Sequence, residues 1–173
     1  MEKIADGSLR IGLRKVGKDP EEFDFVIGDD FFETMPGEVK SGSVRAKIGV
    51  RSIGGGRYGL RAYLKGKIVV ECSRCLGDLG ISLDESAETI AVEAEVKGDD
   101  PDEDVIVADK ESGEADLSWF IYETIILSLP IQHVHKEGEC DDDMIALLGR
   151  LSDEGEKADE ATDPRWKDLK GLR

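Results

Sequence analysis

The chain's three cysteines and two histidines fall into two short clusters. Cys72 and Cys75 form a C-x-x-C pair within Glu71-Cys-Ser-Arg-Cys-Leu76, and His133, His135 and Cys140 follow about sixty residues later. Three thiolates and one imidazole make a complete tetrahedral shell for a structural zinc ion. Thiols two residues apart at a turn between strands can grip one ion from two sides, as in zinc ribbons and knuckles. Either histidine can supply the nitrogen, because on an extended segment His133 and His135 share a face; His135 is the nearer to Cys140. A metal held this way would tie the C-x-x-C corner to the segment after the main helix, and its binding would be coupled to folding.

The same residues admit plainer uses. A free cysteine often serves as a small buried hydrophobe, and the histidines could simply decorate a polar edge. A C-x-x-C can also be a redox pair. That motif usually opens a helix in a βαβ unit, no such unit surrounds it here, and Arg74 is the only basic group near it. Catalytic machinery is not evident, since both histidines already belong to the cluster and no Ser-His-Asp set can be drawn. Gly54-Gly-Gly56 is a turn rather than a phosphate loop, for no Lys-Ser or Lys-Thr follows it. The acids of 99–104 and 141–143 lack calcium-loop spacing.

The elements that must position these groups are mostly strands. Leu9, Ile11 and Leu13 alternate with Arg10 and Arg14, and Phe23–Ile27 reads as a second short strand. Asp29–Thr34 forms a helical turn. Val44, Ala46, Ile48 and Val50 alternate with Arg45, Lys47 and Arg51; beyond the glycines, Tyr58, Leu60, Ala62 and Leu64 alternate with Arg61, Tyr63 and Lys65. Period two on both arms with glycines between them predicts a hairpin over 43–65. Its outer face gathers Arg45, Lys47, Arg51, Arg61, Tyr63 and Lys65, a candidate RNA-binding surface. Returning strands follow from Leu79 to Val96, with an acidic loop at 97–104 and a short strand at 105–107. A helix over 117–128 carries the apolar stripe Leu117, Ile121, Ile125 and Leu129, with Trp119 and Tyr122 expected in the core. Pro130 ends it, and Ile131 to His135 is expected to be extended. Acids at 141–143 favour a short helix over 144–148. These elements predict an α+β fold, mainly antiparallel sheet with one main packed helix and a short C-terminal helix. Residues 1–150 form a single domain in this reading, and 151–173 an acidic linker with a short basic and aromatic end.

The chain has 173 residues and a formal net charge of −16. No apolar run approaches the roughly 20 residues of a membrane span, and no signal peptide is visible at the N-terminus. With an odd number of cysteines as well, a cytoplasmic location without a disulfide framework is expected. The charge is uneven. Residues 40–75 hold nine Lys or Arg and one acid, whereas 76–173 hold nine basic and 28 acidic side chains. Such a split concerns partners rather than fold: one segment can meet phosphate, and the acidic remainder suits a basic protein.

Four motifs in order resemble the YceD-like family, the large ribosomal RNA subunit accumulation proteins. They are Val70-Glu-Cys-Ser-Arg-Cys-Leu76, Glu123-Thr-Ile-Ile-Leu-Ser-Leu-Pro130, His135 followed by Cys140, and Asp163-Pro-Arg-Trp-Lys-Asp-Leu169. The resemblance covers most of 40–173. It implies a cytoplasmic, non-enzymatic factor in large-subunit ribosome biogenesis, bound to ribosomal RNA, a large-subunit precursor or a basic ribosomal protein. It also implies Cys72, Cys75, His135 and Cys140 as the ligand positions, with no assured counterpart for His133. Some members carry a richer cysteine cluster after the Leu-Pro motif, which this chain lacks. The reading from another class is a structural-zinc protein–protein adaptor unrelated to ribosomes.

Overall fold

Alternating apolar and polar residues build an antiparallel sheet with one face buried. The computed structural model describes residues 9–93 and 105–158. The chain divides into two compact units, Met1–Glu71 with Asp78–His133, and Cys72–Gly77 with Val134–Arg173. The sequence reading, by contrast, takes 1–150 as one domain.

In the first unit five strands lie in the order β2 (Glu21–Ile27), β3 (Val39–Gly54), β4 (Arg57–Glu71), β5 (Asp78–Val92) and β6 (Val105–Val107). All neighbours are antiparallel except β5 and β6. The short strands β1 (Arg10–Gly12) and β7 (Glu114–Asp116) pair separately, and β1 runs on into a 3-10 turn at Leu13–Lys15. Helices α1 (Asp29–Thr34) and α2 (Ser118–Leu127) complete the unit. The fold is thus α+β and mainly antiparallel, as the sequence predicts.

The hairpin is longer than the predicted 43–65. Gly54 pairs with Arg57, leaving Gly55 and Gly56 as a two-residue loop with φ of 63° and 69°. Two consecutive positive φ values are what a right-twisted hairpin demands and what glycine supplies without steric cost. At Gly66 the reason for glycine is space: a Cβ there would run into the Ser43 carbonyl oxygen and lie 2.7 Å from Val44 Cα.

One face of the sheet presents Phe25, Ile27, Val44, Ala46, Ile48, Val50, Leu60, Ala62, Leu64, Ile68 and Val70, all buried. Leu9, Ile11 and Leu13, with Phe31 and Phe32 of α1 and Leu117, Ile121, Tyr122 and Ile125 of α2, join them in one core. The predicted stripe of α2 is therefore the packed one, with Leu129 half-buried at its end. Tyr122 is in the core as expected, but Trp119 is not: it stands 60% exposed, because the helix turns it away from the face carried by Ile121 and Ile125. Two sheet elements, β6 alongside β5 and β7 beside β1, come after an acidic loop expected at 97–104 that lies outside the described residues.

In the second unit the acidic stretch expected as a linker from 151 is helical as far as Ala158. Helix α3 spans Asp142–Ala158. Asp141 begins it, its Oδ1 accepting the Met144 N–H at 2.8 Å, with Asp142 and Asp143 in the first turn. Both features favour an N-terminus. The preceding segment 131–135 contains no strand. The basic and aromatic end at 164–173 lies outside the described residues.

Candidate functional site

The loop Cys72–Gly77 is tight because its backbone closes on itself. The Cys72 N–H donates to the Gly77 carbonyl at 2.8 Å and the Leu76 N–H to the Cys72 carbonyl at 2.9 Å. Leu76 takes φ 60°, a left-handed conformation uncommon for a side chain of its size. This turn aims both thiols to one side. From the other segment of the same unit, the loop over 134–141 brings His135 and Cys140 to the same point. One donor atom from each of Cys72, Cys75, His135 and Cys140 lies within 4.8 Å of every other. The His135 Nδ1 is 3.3 Å from Cys75 Sγ and 4.0 Å from Cys140 Sγ, and the His135 N–H points to Cys72 Sγ at 3.4 Å. Together these four can bind a metal ion.

His133 is not part of this group. Its Nδ1 lies 3.2 Å from the Pro130 carbonyl oxygen, and its Nε2 is 3.9 Å from Glu38. The choice between the two histidines, open from spacing, is settled by the turn after Pro130 rather than by strand alternation.

The electrostatics favour thiolate at Cys72 and Cys75 and the thiol at Cys140. Burial works against a charge on Cys72, but the backbone N–H groups of Cys75, Arg74 and His135 converge on its sulfur and bring its pKa down from the usual 9.0 to about 5. The N–H groups of Asp141 and Gly77 hold Cys75 below its usual value in the same way. Burial pushes Cys140 up, and the neighbouring thiols Cys75 and Cys72 add to the effect. Amides donating to sulfur stabilise its charged form, and a cluster of thiolates around an imidazole is a soft donor set of the kind zinc takes.

Among the described residues of the second unit only Cys72 and Cys75 are buried. A fold without an apolar core calls for another source of stability, and metal is the usual one at this scale.

The hairpin's outer face carries the predicted basic residues, but acids that the sequence reading did not single out accompany them. Lys47 pairs with Glu22 of β2 at 2.8 Å, Lys65 with Asp84 of β5 at 2.8 Å, and Arg61 with Glu88 of β5. Tyr63, half exposed, lies between them, its hydroxyl oxygen 3.4 Å from the Arg61 guanidinium. Hydrogen bonding to these partners raises the pKa of Lys47 and Lys65. Arg45 and Arg51 form no ion pair among the described residues. Glu22, Asp84 and Glu88 stand at outward-facing positions on the strands flanking β3 and β4, so strand alternation could have found them once the pairing order was known.

A family model described as large ribosomal RNA subunit accumulation protein YceD matches residues 60–173. The chain belongs to this family. The match includes the C-x-x-C loop, α2, His135 and Cys140, and it begins in β4, so the first arm of the hairpin, expected within the resemblance, falls outside it. No curated protein and no solved structure matches the chain. The YceD family's name ties its members to accumulation of the large ribosomal RNA subunit and describes no enzymatic activity. Among the described residues no helix is long and apolar enough to cross a membrane.

Proposed function

We propose that this YceD-family chain is a non-enzymatic factor of large-subunit biogenesis, which uses a structural zinc to shape its second unit and holds a basic ribosomal protein. The observation that carries the partner is the disposition of charge. Of the five cations that the sequence predicts for this face, Lys47, Arg61 and Lys65 already meet acids of the flanking strands, and the chain as a whole carries −16. A molecule of this balance is repelled by nucleic acid at long range and attracted to basic proteins. Holding such a protein in solution before it docks would support accumulation of the RNA that it stabilises.

The test is binding of the purified chain to isolated basic large-subunit proteins, measured by calorimetry over a range of salt. Affinity that falls with salt yet persists near physiological ionic strength supports the reading. Absence of binding there refutes it.

A second reading has its own observation. Arg45 and Arg51 remain without an ion pair among the described residues on the same face as Tyr63. Arginines beside an exposed aromatic ring suit RNA phosphates and unstacked bases. In that case Arg45→Glu with Arg51→Glu weakens association with ribosomal precursor RNA and lowers the salt slope by about 1 to 2. Unchanged association removes this reading and leaves the first intact.

A further inference from the structure

Helix α3 carries an apolar stripe that is partly exposed among the described residues. Met144, Leu147, Leu148 and Leu151 recur at the i, i+3, i+4, i+7 spacing of one helical side. Leu147 is 43% exposed and Leu151 57%, with Ile145 and Leu148 close to 40%. From Met144 to Leu151 the stripe runs about 10 Å along the axis, two turns of helix. An amphipathic helix normally lays such a stripe on a core, and most helical stability in proteins comes from that packing. The stripe is also framed by charge of one sign. Residues 141–158 hold six acids, at 141, 142, 143, 153, 154 and 156, against Arg150 and Lys157.

We infer that α3 is a docking helix whose apolar stripe seats in a groove of a basic protein, with lysines or arginines at the groove's rim meeting the acids at 141–143 that precede the stripe. This rests on the reading that the chain holds a basic protein, and it names the surface that does the holding. Charge complementarity selects this occupant. RNA offers no apolar groove and is repelled by the acids. An anionic membrane surface is met by helices whose polar face is basic, the reverse of this one. A second copy of the chain would bring acid against acid, with −16 on each partner. A helix laid in a groove by i, i+3, i+4 and i+7 anchors is a standard recognition mode.

The experiment uses the full chain, loaded with zinc, and purified basic large-subunit proteins tested one at a time. Leu148→Asp places a charge in the middle of the stripe, and Leu148→Met keeps it apolar. Leu148 is 38% exposed and outside the buried core, and circular dichroism and metal content verify that each variant folds. For any protein that the wild type binds, Leu148→Asp is expected to weaken binding at least tenfold, as the loss of a central anchor does, while Leu148→Met stays within about threefold. Equal affinity of wild type and Leu148→Asp for that protein overturns the docking role of α3 but leaves the partner class standing. Failure of the wild type to bind any of them overturns both. A wild-type dimer in sedimentation that Leu148→Asp dissociates assigns the stripe to a second copy and overturns the inference. A change in the protection of first-unit amides on Leu148→Asp, without loss of binding, assigns it to the chain itself and overturns the inference too.

Discussion

Replacing Cys75 by Ser should cost the second unit its structure while sparing the first. Four donors within 4.8 Å of one another are close to a tetrahedral shell, in which Zn–S of about 2.3 Å and Zn–N of about 2.0 Å set S···S near 3.8 Å and S···N near 3.5 Å. The observed 3.3 Å and 4.0 Å from His135 Nδ1 to the Cys75 and Cys140 sulfurs bracket that value. The energy follows from what the unit lacks. Fourteen residues, 72–77 and 134–141, are ordered outside any helix or strand. At about 1 kcal/mol each, the low end of the backbone cost, ordering them takes about 14 kcal/mol. Two buried thiols return about 2 kcal/mol. The deficit of about 12 kcal/mol lies within the roughly 10–16 kcal/mol that structural zinc supplies to small folds. Wild-type protein, purified without a histidine tag or chelator, should therefore carry about one zinc per chain by mass spectrometry of the metal. Cys75→Ser should carry close to none. Hydrogen exchange should show amides of 72–77 and 134–141 losing protection, with those of β3 and β4 unchanged because their core lies in the other unit. Full protection of 72–77 in metal-free, fully reduced wild type would refute the reasoning.

Three further outcomes are expected. Burial alone would raise the Asp116 carboxyl, but Ser118 and Arg10 outweigh it and hold it below its usual 3.8; its contribution is present above that value and fades as pH falls through the lowered one. Asp116→Asn should cost about 0.5–1 kcal/mol at neutral pH, a figure kept small by the half-exposed carboxylate, and nothing measurable once the pH has fallen below the lowered pKa; a penalty that persists through the acid range contradicts the assignment. Gly66→Ala should destabilise the first unit by about 2–3 kcal/mol in chemical denaturation, since the added methyl meets the β3 backbone; a loss below about 0.5 kcal/mol would show that the strands can separate at no cost. Glu22→Gln with Glu88→Gln frees Lys47 and Arg61, and should raise affinity for an arbitrary RNA at low salt severalfold; no change would mean that these acids do not govern the face.

The sheet was legible because its signal is local. Val44 to Val50 and Tyr58 to Leu64 alternate without a break, and Gly54-Gly-Gly56 marks the turn between them. The four clustered donors were legible for another reason, being almost all of the soft donors in the chain. What escaped depended on distant partners. Nothing local distinguishes His135 from His133; the loop closing after Pro130 does. Glu22, Asp84 and Glu88 look like ordinary surface acids until β2 and β5 are placed beside β3 and β4. Trp119 carries a core residue's composition on the wrong side of α2, and the acidic run after Leu151, read as a linker, continues α3 because Asp141 caps a helix long enough to carry it.

The central claim, that this YceD-family chain acts by binding within large-subunit assembly, is tested most directly by sedimentation. Extract from cells that express the full chain is resolved on a density gradient at low and near-physiological salt, and the chain is followed against free ribosomal proteins, small-subunit particles and large-subunit precursors. The account predicts a peak with large-subunit precursors or their free basic proteins, and none with small-subunit particles. A chain that stays at the top of the gradient, with no basic large-subunit protein beside it at either salt, would contradict it.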